Sequence, residues 1–303
     1  MFIAGPSAGS SPGRDRFLVR AARGSFTGPA DFLADPGNRA RVREYLADMA
    51  RPYGRTVRAE DFAEPLSSAL GQSYGEMAAE LIGSAVPADE PVDVLVLAFA
   101  VHDLRPGRQT AAYLSHVTPG TPMAFGLCDQ GSAAAFSGLR IAGDYASSAA
   151  VRRALLIVAE QAALPYDGGA AVPAEHRAVA MLFGDGPVRS AEGPQPRVTA
   201  VRQHPAVPAE CAASLAAAEL AELTAGNQAT AVVLGAALAA LWTAPAAGRV
   251  RVMPPGQPST GVWWGLIDEL AGQHGQPGPV VVADYDAQLR YLCLCAFGTA
   301  TAG

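Results

Sequence analysis

The sequence predicts an α/β fold whose second half repeats the element order of the first. Two phrases, residues 91–100 (PVDVLVLAFA) and Arg153–Glu160 (RALLIVAE), are apolar almost throughout, as strands covered on both faces are. Around them lie segments with apolar residues at helical spacing, such as 73–84 (SYGEMAAELIGS) with Met77, Ala78, Leu81 and Ile82 on one side. The order strand, helix, strand, helix, hairpin after residue 197 then repeats that of the preceding half.

Taken in order, residues 17–20 read as a first strand and 38–50 as a surface helix. Helix 73–84 leads into strand 91–100, a polar loop with His102, Asp103, Arg105, Arg108 and Gln109, and a helix over 110–117. The turn Pro119-Gly120-Thr121-Pro122 opens the central stretch, 123–167. There, 124–128 is a short apolar strand expected to be buried, and 129–132 is a polar turn. Residues 133–145 carry a helical stripe of Ala135, Phe136, Leu139 and Ala142, followed by strand 153–160. Ser132 thus stands at a helix N-terminus between core strands, where free N–H groups and the helix dipole converge. Nucleophiles are often placed at such a point. Strand 177–183 ends in Phe-Gly-Asp-Gly, whose glycines permit a tight turn. Strand 197–204, helix 208–223, strand 229–234, helix 235–242 and strand 249–253 follow. Helix 259–270 is capped by Ser259 or Thr260, and strands 279–283 and 289–297 close the chain as a hairpin.

The 303 residues are 50% hydrophobic and 17% charged, enough for an ample globular core. Net charge is −6 and no run of basic residues stands out, so nucleic acid is not an expected partner. No apolar run approaches the roughly 18 residues that span a bilayer. The first 16 residues lack the basic and apolar regions of a signal peptide, so a cytoplasmic location is expected. Four scattered cysteines, at 128, 211, 293 and 295, do not make a disulfide framework. Cys293 and Cys295 face one side of a strand, where core packing is expected and no metal site.

The central stretch resembles the active-site segment of the β-ketoacyl-carrier-protein synthase III (ketosynthase III) family, within the thiolase-fold enzymes. The likeness rests on a short strand, small residues, a buried helix with Leu139 and Ala142, and a strand ending near an acid. Val-Asp within 91–100 and Phe-Gly-Asp-Gly at 183–186 extend it; before residue 75 the chain departs from the family. The resemblance implies two similar βαβαβ halves, residues 1–187 and 188–303, in a five-layered αβαβα arrangement. It puts the family's catalytic Cys on Ser132, with Cys128 about one turn too early. The decarboxylating His falls on Ala236. The Asn phrase becomes Pro255-Gly256-Gln257-Pro258-Ser259-Thr260, without an Asn; Gly226-Asn227 imitates it but precedes a strand. Gly131, Gly184, Asp185 and Gly186 are expected to wall the site, and His102 is the one candidate base near Ser132. His116, His176, His204 and His274 are expected at exposed positions.

Two functions follow from that resemblance. The first is a non-elongating subunit lacking the Cys-His-Asn set, paired through the 124–128 edge with an active ketosynthase III homologue in acyl or polyketide-type secondary metabolism. The second is an acyltransferase in which Ser132 passes an acyl group from a thioester to an acceptor. Neither requires a metal or resident cofactor; the acyl donor would be acyl-CoA or the phosphopantetheine arm of an acyl-carrier protein. A homodimer is the other assembly the resemblance allows.

Overall fold

The computed structural model describes residues 16–62, 70–105, 109–148, 151–164, 172–186, 195–224, 229–242, 249–272 and 278–299. These form ten strands and seven α-helices. The first half comprises β1 (Arg16–Ser25), α1 (Pro36–Ala50), α2 (Tyr74–Ala85), β2 (Val94–Ala98), α3 (Thr110–Val117), β3 (Met123–Leu127), α4 (Ala133–Ser148), β4 (Arg153–Glu160) and β5 (Arg177–Gly184). The second comprises β6 (Pro196–His204), α5 (Ala209–Thr224), β7 (Ala231–Leu234), α6 (Ala236–Leu241), β8 (Val250–Val252), α7 (Gly261–Gly272), β9 (Val280–Asp286) and β10 (Tyr291–Thr299).

The strands lie in the order β3-β2-β4-β5-β1-β6-β10-β9-β7-β8. Read outward from the middle, that order is the same in both directions, with β1 matching β6, β2 matching β7, and so on to β5 and β10. Pairing directions match too. β2 is parallel to β3 and β4, as β7 is to β8 and β9, while β4–β5 and β9–β10 are antiparallel. The halves meet through a short antiparallel pairing of Arg16 and Phe17 with Val198 and Arg197.

Alternation along the strands sorts the side chains into layers. Val94, Val96 and Ala98 of β2 and Ala154, Leu156 and Val158 of β4 face a central core. It also holds Phe136 of α4, Trp263 of α7, Val280 and Val282 of β9, and Cys293 and Cys295 of β10. The alternate residues Leu95, Leu97, Leu155 and Ile157 face α2 on one outer side. Val281, Ala283 and Tyr285 face α5 and α6 on the other. Helices α4 and α7 are therefore the middle layer, touching where the Phe136 and Trp263 rings lie 4.8 Å apart. This is the expected five-layered arrangement.

Local chemistry explains the boundaries. Ser73 and Glu76 close a reciprocal capping box at α2, and Asp35 caps α1 ahead of Pro36. Burial pushes the Cys293 and Cys295 thiols up, as expected of core residues. Several expectations need correction. The first strand, expected at 17–20, runs over Arg16–Ser25, and His204, expected to be exposed, is half-buried with its Nε2 2.9 Å from Glu219. The strand expected at 124–128 is Met123–Leu127, and it is a half-exposed edge because only β2 pairs with it. His176 is buried, its Nδ1 accepting the Ala162 N–H at 3.0 Å. The closing strand expected at 279–283 runs on to Asp286. Gly226-Asn227 and His274 lie outside the described residues.

Candidate active site

Parallel strands β2, β4, β7 and β9 all end on one side of the molecule, where the N-termini of α4 and α7 also converge. A cavity of about 690 Å³ opens there, lined by Ser132, Ala236, Gln257, Ser259 and the tip of the β9–β10 hairpin, with Ala100 and Val101 from the end of β2. Ser132 is 6% exposed and directly precedes α4.

Three carboxylates that the sequence reading passed over dominate this region. The alternation placing Val280 and Val282 in the central layer also places Asp284 and Asp286 there; on β4 it carries Glu160 inward after Leu156 and Val158. The sequence signal was present: an apolar strand running VVVADYD, with its acids in phase with its inward valines.

Each acid meets a specific group. The Ser132 side chain lies beside Asp284, whose Oδ1 accepts the Tyr285 N–H at 2.9 Å. Burial pushes the Asp284 carboxyl up to about 7, against the lowering effect of those contacts. The Ser132 backbone N–H donates to Asp286 Oδ2 at 3.1 Å, and Leu289 N–H to Asp286 Oδ1 at 2.9 Å. Across the cavity, Glu160 accepts the Ser259 N–H at 2.6 Å, the Thr260 N–H at 3.0 Å and the Thr260 hydroxyl. Burial raises the Glu160 carboxyl. The last residue of β9 thus caps the helix of the first half, and the last residue of β4 caps the helix of the second. Glycines admit two of these acids: a Cβ on Gly131 would overlap the Asp286 carboxylate, and one on Gly235 that of Asp284.

This arrangement has a chemical consequence. The N–H of a nucleophile at a helix N-terminus is a natural donor to a tetrahedral oxyanion. Here that N–H is bonded to a carboxylate, and the equivalent N–H groups of α7 are bonded to another. Ala236 offers only a methyl group to the cavity. Gln257, in the phrase where the resemblance expects Asn, donates from Nε2 to Glu175 O at 3.2 Å, and its Oε1 is an acceptor 3.2 Å from the Thr260 hydroxyl. Among the described residues the cavity lining contains Asp129, Asp284 and Asp286 and no basic side chain.

The other expected residues lie elsewhere. His102 is exposed and borders a separate crevice with Leu46 and Gln161; it is not among the residues that line the cavity at Ser132. The wall expected from Gly184, Asp185 and Gly186 is at the wrong end of the sheet. Gly184 pairs with Arg153, at the opposite end of β4 from Glu160, about 23 Å away at the rise of an extended chain. Asp185 pairs there with Arg152 at 3.4 Å. Cys128 follows β3, and burial raises its thiol. No cluster of potential metal ligands occurs among the described residues, and none of their helices is long and apolar enough to cross a membrane.

No family model and no curated protein matches this chain. Solved structures do. The chain is similar to AbyA1, a tetronic acid condensing enzyme, with TM-score 0.63 and 16% identity over 93% of this chain and 99% of that one. It is similar to ChlB3, an acyltransferase, with TM-score 0.59 and 16% identity over 95% and 98%. To 3-oxoacyl-(acyl carrier protein) synthase III, FabH, of Pseudomonas aeruginosa PAO1 the TM-score is 0.61 at 15% identity over 96% and 100%. The fold is the thiolase-like fold of the ketosynthase III-like enzymes.

Proposed function

We propose that this chain, with the fold of the ketosynthase III-like enzymes, is a non-elongating subunit that pairs with a catalytically complete homologue in the biosynthesis of an acyl or polyketide-type metabolite. The observation that carries this reading is the closure of both helix N-termini by internal acids: Asp286 on Ser132 N–H, and Glu160 on Ser259 and Thr260 N–H. Decarboxylative condensation develops negative charge on an enolate and then on an oxyanion. Losing one donor to such a charge costs about 3–4 kcal/mol of transition-state stabilisation. Here the donors are taken, and three aspartates face the place where a malonyl carboxylate would enter.

A second reading has its own support. Asp284 lies beside the Ser132 side chain and is pushed by burial up to about 7, close to the value that suits a general base. Acyl transfer through Ser132 would use that pair. It would still have to build an oxyanion beside Asp286, which weighs against it.

The β3 edge supplies the means of pairing. It is apolar and bonded on one side only, with Met123 46% exposed and the Phe125 ring tilted against that of the 37% exposed Tyr145. An uncovered edge of this kind invites a second chain. Coexpression with a homologue from the same genome that retains Cys, His and Asn should give a one-to-one complex. Met123→Lys with Tyr145→Lys should weaken that complex by about 100-fold, as loss of central interface anchors does, while leaving the fold intact. A chain that remains monomeric alone and with that homologue would refute the pairing.

A further inference from the structure

The cavity that opens beside Ser132 has a lopsided lining. Its walls are largely apolar, with Ala236, Met253, Pro254, Val262 and Leu289, and its charged side chains are all acids. At about 690 Å³ it falls within the range of small-molecule sites, roughly 300–1,000 Å³. The acids around it are not equally served. Both oxygens of Asp286 accept backbone N–H groups, from Ser132 and Leu289. Glu160 accepts two backbone N–H groups and a hydroxyl. Asp284 accepts one backbone N–H, from Tyr285, although it is only 5% exposed. The charged groups that act on Asp284 are Asp286 and Glu160, and both repel its negative form. A buried carboxylate is ordinarily paired with a cation, and the described residues place none in this lining. Ser259, 4% exposed in the lining of the same cavity, has a hydroxyl without a hydrogen-bond partner.

We propose that this cavity binds a primary amine with an apolar body, its ammonium group pairing with Asp284. The cation supplies the partner that the chain withholds from this carboxylate, and the apolar body lies against Met253, Pro254 and Val262. An ammonium group carries three donors and no acceptor, which suits a lining that offers carboxylate and hydroxyl oxygens. A metal ion is a poorer fit, because no group of three metal-ligating side chains gathers among the described residues. An anionic ligand fits worse still. It would enter beside Asp129, Asp284 and Asp286 with no basic side chain to meet it, and like charges so placed cost several kcal/mol. Holding such an amine requires neither a second subunit nor acyl transfer, so the site does not rest on the pairing proposed above.

The probe is octylamine, titrated calorimetrically into the full chain alone at pH 8, with no acyl donor and no homologue present. At that pH an alkylammonium, titrating at about 10.4 as lysine does, is charged, and Asp284, pushed up to about 7, is largely ionised. Octylamine should bind, 1-octanol should bind at least about tenfold more weakly, and octanoate should not bind measurably. Asp284→Asn should raise the Kd of octylamine by about tenfold or more and leave that of 1-octanol nearly unchanged, since only the charge pair is lost. Ala236→Phe, which fills part of the cavity, should weaken amine and alcohol alike and so places the probe there. Equal Kd values for amine and alcohol, tighter binding of octanoate, or no binding of octylamine would each overturn the proposal. So would full amine affinity in either Asp284→Asn or Ala236→Phe. Because the chain is tested alone, failure here leaves the subunit pairing standing, and a chain that fails to pair can still bind the amine.

Discussion

Asp284→Asn should stabilise the protein at pH 7.5 by up to about 4 kcal/mol, with that gain shrinking below about 1 kcal/mol near pH 4. The folded carboxyl keeps its proton to about pH 7, chiefly because burial disfavours the charged form, whereas the unfolded one releases it near 3.8. Between these values the folded state binds more protons than the unfolded state, so this group's contribution to stability falls as pH rises through the interval. Asparagine keeps an oxygen for the Tyr285 N–H and an amide for the Ser132 hydroxyl without the charge. Denaturant unfolding of both proteins from pH 4 to 7.5 reads the difference directly. A variant destabilised at pH 7.5 would mean that Asp284 is ionised and well served in the folded protein, and one equally stabilised at both ends would mean that its carboxyl is not raised by burial.

Gly131→Ala should lower stability by about 2–4 kcal/mol, the range of overpacking plus backbone strain. Gly131 has φ +51, where an L side chain is disfavoured, and the new methyl group would overlap the Asp286 carboxylate that caps α4. The two causes separate in a double-mutant cycle. Adding Asp286→Ala to Gly131→Ala removes the overlap but leaves the strained φ, so part of the loss should return and about 1 kcal/mol should remain from the backbone. If the double variant is as unstable as the sum of the single ones, the glycine is not there to admit the acid.

The strands and helices nearest the site were largely legible. Arg153–Glu160 and Thr110–Val117 begin and end where periodicity puts them, because an apolar run buried on both faces or a short amphipathic helix leaves little choice of register. The site's acids were harder to see, since their meaning depends on what they cap. Asp284 and Asp286 lie in phase with Val280 and Val282, but acids normally end a strand, and that rule hides their inward direction until the α4 N-terminus is set opposite them. Likewise, Gly184-Asp185-Gly186 can be assigned to an end of the sheet only once the antiparallel register with β4 is known. His102 follows a strand aimed at the cavity, yet the loop turns: Asp103 accepts the Tyr74 N–H at 3.0 Å and the Thr110 hydroxyl at 2.7 Å, holding the loop against α2 and α3.

The central claim is that the acids around Ser132 make this a subunit without acyl chemistry of its own. It is tested most directly by the intact mass of the chain after incubation with acyl-CoA and acyl-carrier-protein donors. The account predicts no acyl adduct on the parent chain, and none after Ser132→Cys beyond what a surface thiol such as Cys211 acquires. A stable acyl adduct on the parent that disappears in both Ser132→Ala and Asp284→Asn would contradict it, and would establish Ser132 as the nucleophile and Asp284 as its base.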